Sequence, residues 1–203
     1  MQRIGIFGGT FDPIHIGHLY VANAVLEQEQ LERVLFVPVG EPAHRSTHAP
    51  AGDRKAMVGL AIENNAGFAL DDTALRQAGP VYTADTLPLL KERYPDAALS
   101  FIAGADSLVR STWRRLHEVV AALERFYVVA REHTAGEELQ AVLARLPSDL
   151  ARRFVVLNLP LVDVSASAIR ASISQGRTMR YLLPDSVVQY IEARGLYRGN
   201  TSS

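Results

Sequence analysis

Cysteine is absent from this chain of 203 residues, which excludes disulfide bonds and thiolate metal sites. Apolar runs are short, and none approaches the roughly 20 residues of a membrane-spanning helix. An excess of charge is also missing, because 21 basic residues face 22 acidic ones and the formal net charge is -1. This balance gives no support for a broad nucleic-acid or membrane surface, although it permits a local cationic pocket. We therefore expect a cytoplasmic protein without nucleic-acid or membrane partners.

The start of the chain, MQRIGIFGG, has one basic residue and then breaks into glycines, so no signal peptide is expected. Hydrophobic residues make up 48% of the chain, enough for a sizeable core. Neither an internal repeat nor a low-complexity linker divides it. We expect a single domain over residues 1–198 and a disordered tail over 199–203.

Short apolar runs alternate with amphipathic segments along the chain. The runs are rich in β-branched and aromatic residues and lack polar alternation; they cover residues 3–7, 33–39, 98–104, 126–130 and 153–159. Such runs are typical of parallel strands covered on both faces. Helical periodicity predicts helices over 18–30, over 112–124 with Thr112 as N-cap, and over 185–194 ending at Gly195. The pattern predicts an α/β fold, a doubly wound parallel sheet with helices on both faces and a helical C-terminal part.

The stretch GGTFDPIHIGH, from Gly8 to His18, lies between the first predicted strand and the first predicted helix. Ligands of parallel sheets bind at the carboxyl ends of the strands, where helix N-termini attract anions. Gly8 and Gly9 would let an anion approach the backbone, and Thr10 adds a hydroxyl. His15 and His18 straddle the helix start and could both donate hydrogen bonds to one phosphate during phosphoryl or nucleotidyl transfer. The glycine spacing matches neither the dinucleotide fingerprint nor the Walker loop.

This stretch resembles the signature of the nucleotidyltransferases that carry an H-x-G-H motif, here His15-Ile16-Gly17-His18. The resemblance implies a Rossmann-like fold. It also implies that His15 and His18 are catalytic, and that the turn residues from Gly8 to Phe11 bind ATP.

Four further stretches resemble the bacterial nicotinate-nucleotide adenylyltransferases. The first, VPVGEPAHR (37–45), is similar to their P-x-x-x-P-P-H-K/R segment, with Ala43 in place of the second proline. The resemblance implies that His44 and Arg45 act as cations near the phosphates. The polar, proline-containing segment 40–54 is also a candidate mobile lid.

The second stretch, RQAGPVYTADTL (76–87), resembles their G-x-S-Y-T-x-D-T-L segment, with Val81 where serine is usual. The resemblance implies that the backbone at Tyr82 and Thr83 holds the nicotinate ring. An alternative interpretation makes Thr83 the N-cap of a helix over 84–93, and both can hold together.

The third stretch, FIAGADSLVRSTWRR (101–115), ends a predicted strand at Gly104. The resemblance implies nucleotide contacts from Gly104 and Asp106 and places Trp113 beside the pyridine ring. A single tryptophan on an apolar stripe could equally belong to the core. Arg131 resembles an arginine at a strand end in the family, without an assigned role.

The fourth stretch, VDVSASAIRASI (162–173), is similar to the superfamily's I-S-S/A-T-x-I-R, with Val164 and Ser167 as departures. Ser165 or Ser167 would cap the following helix. The resemblance implies that both also hold ATP phosphates, with Arg170 as a catalytic cationic clamp. The ending RYLLPDSVVQYIEARGLY (180–197) resembles the family's C-terminal helices and predicts packing only.

The implied reaction is attack of the phosphate of nicotinate mononucleotide on ATP, which releases pyrophosphate and deamido-NAD for NAD biosynthesis. Mg²⁺ is expected, held mainly by the ATP phosphates. Three alternatives stay open: a metal-dependent hydrolase using His15, His18, His44 and His48, an adenylyltransferase acting on nicotinamide mononucleotide or phosphopantetheine, and a nucleotide sensor without turnover. The sequence leaves open whether the protein forms a homo-oligomer.

Overall fold

The computed structural model describes residues 1–42, 46–110, 113–131, 136–160 and 162–199. Its strands are β1 (Gln2–Gly9), β2 (Arg33–Pro38), β3 (Glu41–Pro42), β4 (Phe68–Leu70), β5 (Pro80–Val81), β6 (Ala97–Gly104), β7 (Phe126–Arg131) and β8 (Phe154–Leu159). Its helices are α1 (Ile16–Gln28), α2 (Ala51–Ile62), α3 (Thr83–Arg93), α4 (Ala105–Arg110), α5 (Leu116–Ala122), α6 (Gly136–Leu143), α7 (Ser148–Ala151), α8 (Ala166–Ser174) and α9 (Asp185–Arg194), with a 3-10 turn at Thr73–Arg76.

Six strands form one parallel sheet in the order β4-β2-β1-β6-β7-β8. The chain builds outward from β1 to β2 and β4, then crosses back to place β6 on the other side of β1. This reversal creates a crevice at the carboxyl ends of β1 and β6, the usual ligand site of such sheets. The predicted α/β doubly wound fold is confirmed.

The central strands of the sheet are buried on both faces, as the continuous apolar runs predicted, whereas the edge strand β8 is partly exposed. Alternate residues enter opposite layers: Ile6 and Phe101 belong to one core cluster, whereas Phe7 and Ile102 belong to the other. The five predicted strands correspond to β1, β2, β6, β7 and β8. Sequence reasoning missed β4 and the separate β3-β5 pair because runs of two or three residues carry no periodicity.

The predicted helix bounds need two corrections. The first helix spans 16–28 rather than 18–30, because Gln30 has a positive φ of 49° that a helix interior does not accommodate. The helix predicted over 112–124 is only α5, because Arg115 has a left-handed conformation and leaves Trp113 outside the helix. Thr112, its predicted cap, lies outside the described residues. The helix over 185–194 is confirmed, with Gly195 left-handed at its end.

The segment 40–54 is not one loop. Its last four residues form the start of α2, which follows Pro50, and residues 41–42 form β3. Proline is tolerated at a helix start because no intrahelical bond needs its missing N–H. After β8 the chain continues into α8 and α9, which confirms the helical C-terminal part. Within the described ranges, no helix combines the length and apolarity that crossing a membrane requires.

Candidate active site

A cavity of about 650 Å³ opens at the carboxyl ends of β1, β6, β7 and β8. It is within the usual size range of small-molecule sites, roughly 300–1,000 Å³. Thirteen of the site residues predicted from the sequence line it: Gly8, Gly9, Thr10, Phe11, His15, His18, Tyr82, Thr83, Gly104, Trp113, Ser165, Ser167 and Arg170. The crevice therefore gathers residues from distant parts of the chain.

His15 and His18 form a stacked pair at the start of α1. Their ring centroids are 3.7 Å apart with an interplanar angle of 24°, and His15 is the N-cap residue. The backbone N–H of His15 donates to Nδ1 of His18 over 3.2 Å. Since Nδ1 accepts this bond, a neutral His18 carries its proton on Nε2. That proton is then available to an anionic ligand.

Burial keeps both imidazoles neutral. Desolvation lowers the pKa of His15 to about 4. Desolvation also lowers the pKa of His18 well below its ordinary value, and repulsion from His15 adds to the effect. Nδ1 of His15 is buried and finds no hydrogen-bond partner among the described residues. The two neutral imidazoles can therefore form hydrogen bonds with an anionic ligand that enters the cavity.

Close packing around the histidines explains two glycines of the motif. A Cβ on Gly17 would lie 3.1 Å from Nδ1 of His15, and a Cβ on Gly9 would lie 2.9 Å from the ring of Phe11. The Phe11 ring also packs edge-on against His18, with centroids 5.2 Å apart. The missing side chain at Gly9 thus makes room for the Phe11 ring, which forms an aromatic wall of the site. It would also allow the expected approach of an anion to the backbone.

Asp12 joins the motif turn to two distant segments. Its carboxylate, only 4% exposed, accepts hydrogen bonds from the backbone N–H groups of His48 (2.7 Å) and Ala49 (3.1 Å) and from the hydroxyl of Tyr197 (2.7 Å). Its backbone carbonyl accepts a 2.7 Å bond from Arg170. These bonds fix the turn against the C-terminal segment.

The phosphate-binding candidates at α8 lie on the opposite wall. Of the two predicted cap candidates, Ser165 is the N-cap, and its Oγ accepts a 3.2 Å hydrogen bond from the N–H of Ala168. The hydroxyls of Ser165 and Ser167 are 3.2 Å apart. Arg170 follows one turn later, tied to the motif turn through Asp12. The arrangement presents hydroxyls, a helix N-terminus and a guanidinium to the cavity.

The other end of the cavity is aromatic. Tyr82 lies beneath Arg114, whose guanidinium carbon is 4.9 Å from the ring centroid. Trp113 lines the cavity and also packs edge-on against Phe101 (5.6 Å) and Phe126 (5.4 Å) of the core, so its contact with the pyridine ring stays a prediction. Thr83 is the first residue of α3, whose N-cap is Tyr82. The prediction that Thr83 caps the helix is wrong by one residue.

This architecture matches known proteins over most of the chain. Residues 6–172 match the cytidylyltransferase-like family model. A probable nicotinate-nucleotide adenylyltransferase of Thermomicrobium roseum is 44% identical over 98% of this chain and 92% of its own length. One from Rubrobacter xylanophilus is 43% identical over 98% and 94%. This chain belongs to the nicotinate-nucleotide adenylyltransferase family. It is accordingly a nucleotidyltransferase.

Solved structures show the same fold at lower identity. The Plasmodium falciparum nicotinic acid mononucleotide adenylyltransferase complexed with NaAD superposes with a TM-score of 0.78, at 21% identity, over 97% of this chain and 98% of that chain. The same protein complexed with APC gives a TM-score of 0.74 over the same shares. The Rossmann-like fold implied by the sequence resemblance is confirmed.

Of the residues expected in this adenylyltransferase site, the structure places one outside the cavity wall and leaves the side chains of three undescribed. Asp106 is exposed in the first turn of α4, immediately after Gly104, and is not among the residues that line the cavity. His44 and Arg45 lie outside the described residues, as does the side chain of Arg131. The structure therefore leaves the roles of these three untested.

Mg²⁺ fits this site only if its ligands come from elsewhere. Within the described ranges, no group of three or more His, Asp or Glu side chains could hold a metal ion. Asp12 is the one carboxylate among the described residues that line the cavity, and its oxygens already accept three hydrogen bonds. The cavity otherwise offers hydroxyls and cationic donors, which suit phosphate. The residues are compatible with a Mg²⁺ ion carried by ATP phosphates and water.

Sequence reasoning missed three contributors to this site. Arg114 received no role from the sequence, and Tyr197 was assigned to packing near the C-terminus. Arg54 lies in the segment interpreted as a lid, yet it is fully buried beneath the motif turn. No local pattern marks these residues, because their partners are far away in the sequence.

Proposed function

We propose that this protein transfers the adenylyl group of ATP to nicotinate mononucleotide, giving deamido-NAD and pyrophosphate, with the cavity residues in the roles below. One observation carries the proposal: a single cavity joins the His15–His18 pair and the α8 N-terminus to the aromatic wall at Tyr82 and Trp113. A nucleoside triphosphate and a pyridine mononucleotide need such a site, with phosphate donors in the middle and a flat apolar surface at one end.

The chemistry is a direct displacement. An oxygen of the mononucleotide's phosphate attacks the α-phosphorus of ATP, the bond between that phosphorus and the oxygen bridging to the β-phosphate breaks, and pyrophosphate leaves. The attacking phosphate is already anionic near neutral pH, so no general base is required. The protein's task is to align two polyanions and to stabilise the charge that passes to the leaving group.

The structure supports a division of this task among the cavity residues. The Nε2 proton of His18 donates to the transferred phosphate, and His15 stacks beside it to complete the donor pair. Ser165, Ser167 and Arg170 hold the departing phosphates at the α8 N-terminus. Bound Mg²⁺ would supply charge neutralisation for the triphosphate. On the basis of the sequence resemblance, we also propose that His44 and Arg45 act as cations near the phosphates.

The pyridine end supports a substrate that carries a carboxylate. The guanidinium of Arg114 lies over Tyr82 at the cavity wall and brings positive charge to this end. A nicotinate carboxylate is attracted by that charge, whereas the neutral amide of nicotinamide is not. Trp113 supplies a flat apolar surface for the ring. Because ATP is the co-substrate, we also propose that the enzyme acts in the cytoplasm.

The test is pyrophosphate release from ATP and Mg²⁺ with nicotinate mononucleotide, nicotinamide mononucleotide or phosphopantetheine as acceptor. We expect strong preference for the nicotinate compound. His18→Ala should lower the rate by about 10²–10³, the usual cost of losing one charge-stabilising donor. His117→Ala is the matched control, because His117 is exposed on α5 and does not line the cavity.

Each other outcome has a defined meaning. Preference for nicotinamide mononucleotide or phosphopantetheine would keep the reaction and overturn the substrate. ATP binding without pyrophosphate release from any acceptor would point to a nucleotide sensor. Full activity of His18→Ala would remove the histidine pair from the mechanism.

A further inference from the structure

Arg54 is a fully buried cation directly behind the active-site cavity. It lies in the first turn of α2, has 0% exposed surface, and does not line the cavity. Its guanidinium donates four hydrogen bonds, all to backbone carbonyls. Nη1 binds Thr10 and Val39, both at 2.7 Å, Nη2 binds Gly40 at 2.6 Å, and Nε binds Ala49 at 3.2 Å.

These carbonyls belong to the segments that form the phosphate end of the site. Thr10 lies in the motif turn after β1, and Val39 and Gly40 follow β2. Ala49, whose N–H donates to Asp12, precedes α2. Arginine has five N–H donors in one rigid plane, and four of them are used here. A lysine ammonium is a point donor and cannot span the same set. The bonding pattern therefore specifies a guanidinium.

Among the described residues no carboxylate forms a salt bridge with this guanidinium; desolvation lowers its pKa, and the charge of the nearby Asp12 carboxylate partly offsets that effect. A buried cation is costly unless every donor finds an acceptor, so the loops must hold their carbonyls in place. In a trans peptide the N–H points opposite to the C=O. Binding the Thr10 carbonyl consequently fixes the direction of the Phe11 N–H, in a turn that lines the cavity.

The neighbouring residue anchors α2 to the rest of the fold. Asp53 is buried and accepts hydrogen bonds from the hydroxyl of Tyr190 (2.7 Å) and from Nε of Arg194 (3.1 Å), both on α9. Successive helical residues point about 100° apart, so Asp53 and Arg54 bind different parts of the fold. Arg54 therefore contacts the loops from α2, a helix that is itself anchored to α9.

We propose that Arg54 is a positioning residue for adenylyl transfer: it clamps the turn after β1 to the segment after β2 and so sets the geometry of the phosphate wall without touching substrate. The inference rests on the proposed function. It assigns to a buried arginine a role in the reaction that is distinct from its contribution to folding.

The experiment compares Arg54→Lys with wild type and with Lys55→Met. Lys55 is adjacent on α2 but pairs with Asp72 at 2.9 Å, away from the cavity, so it controls for loss of a cation from this helix. We expect kcat/KM for ATP in Arg54→Lys to fall about 10²-fold, since displacement of reacting groups by about 1 Å can cost that much. Lys55→Met should keep the wild-type value.

A second experiment adds free guanidinium to Arg54→Ala and measures kcat/KM. A purely structural role of Arg54 predicts no recovery of kcat/KM. Millimolar guanidinium should restore part of kcat/KM at a temperature where the variant is folded, whereas equal tetramethylammonium should not. If Arg54→Ala does not fold, the lysine variant decides alone. A lowered unfolding midpoint with unchanged kcat/KM in Arg54→Lys would overturn the proposal. Absence of turnover in wild type would instead refute the proposed function.

Discussion

At the scale of single residues, the site is built from groups held in unusual protonation states or environments. His15 and His18 are neutral because burial removes the water that would stabilise their charge. Arg54 keeps its charge because backbone carbonyls replace water around it. The neutral imidazoles can donate to phosphate without a prior charge, and arrival of a polyanion favours their protonation. Binding and proton uptake are therefore coupled at this pair.

The histidine pair predicts a loss of stability in acid. An unfolded histidine titrates near its ordinary pKa, about 6.5, whereas folded His15 titrates at about 4. The unfolded state therefore binds more protons between these values, and the free energy of unfolding falls as pH drops through that window. For His15 alone we expect a loss of about 2 kcal/mol between about pH 7 and pH 5, measured by urea denaturation.

A matched pair of variants isolates this effect. His15→Gln removes one of the two buried imidazoles and should make the pH dependence shallower, with the contribution of His18 remaining, whereas His117→Gln, which alters an exposed imidazole, should preserve the wild-type slope. Asp72 titrates below the window, since hydrogen bonds from Lys55 and Arg76 lower its pKa to about 2. An equally steep decline in His15→Gln would contradict the assignment.

At the scale of elements, the site depends on how helices begin. α1 starts with the stacked histidines, α3 starts beside Tyr82, and α8 starts at Ser165. The parallel sheet brings these N-termini to one edge, where their free N–H groups favour anions. Prediction of a serine cap at 165 or 167 succeeded because a cap is a local feature, and the structure selects Ser165. The start of α5 could not be predicted, because it depends on the left-handed conformation of Arg115.

The α8 cap gives a prediction for this element. Ser165→Ala removes the hydroxyl that accepts from the Ala168 N–H, and should lower the free energy of unfolding by about 1 kcal/mol. Ser167→Ala keeps that bond and should cost less. Urea denaturation of both variants measures the difference. Equal losses would mean that the cap hydrogen bond contributes nothing to stability.

At the scale of the whole molecule, the crossover from β4 to β6 creates the site. It leaves a crevice between the two halves of the sheet, with the motif turn in its centre. Both core clusters support this crevice from behind, and Asp12 connects it to the C-terminal segment through Tyr197. The fold could be predicted from the sequence because buried parallel strands have a composition that local inspection detects.

Removal of metal tests whether the molecule carries its own ion. With Mg²⁺ held by ATP, EDTA should abolish pyrophosphate release but leave the thermal unfolding midpoint of the nucleotide-free enzyme unchanged. Excess Mg²⁺ added back should restore turnover. A lowered midpoint in EDTA alone would reveal a resident structural ion and would contradict a metal that arrives with the nucleotide.

The sequence by itself determined the alternation of strands and helices, the position of the histidine motif and a serine cap at 165 or 167. Each depends on residues within a few positions of one another, so composition and spacing are sufficient. Only the tertiary structure decided that Arg54 binds Thr10 across 44 positions and that Tyr197 binds Asp12 across 185. Such partners are chosen by the path of the whole chain. A buried arginine and an exposed one consequently look identical in sequence.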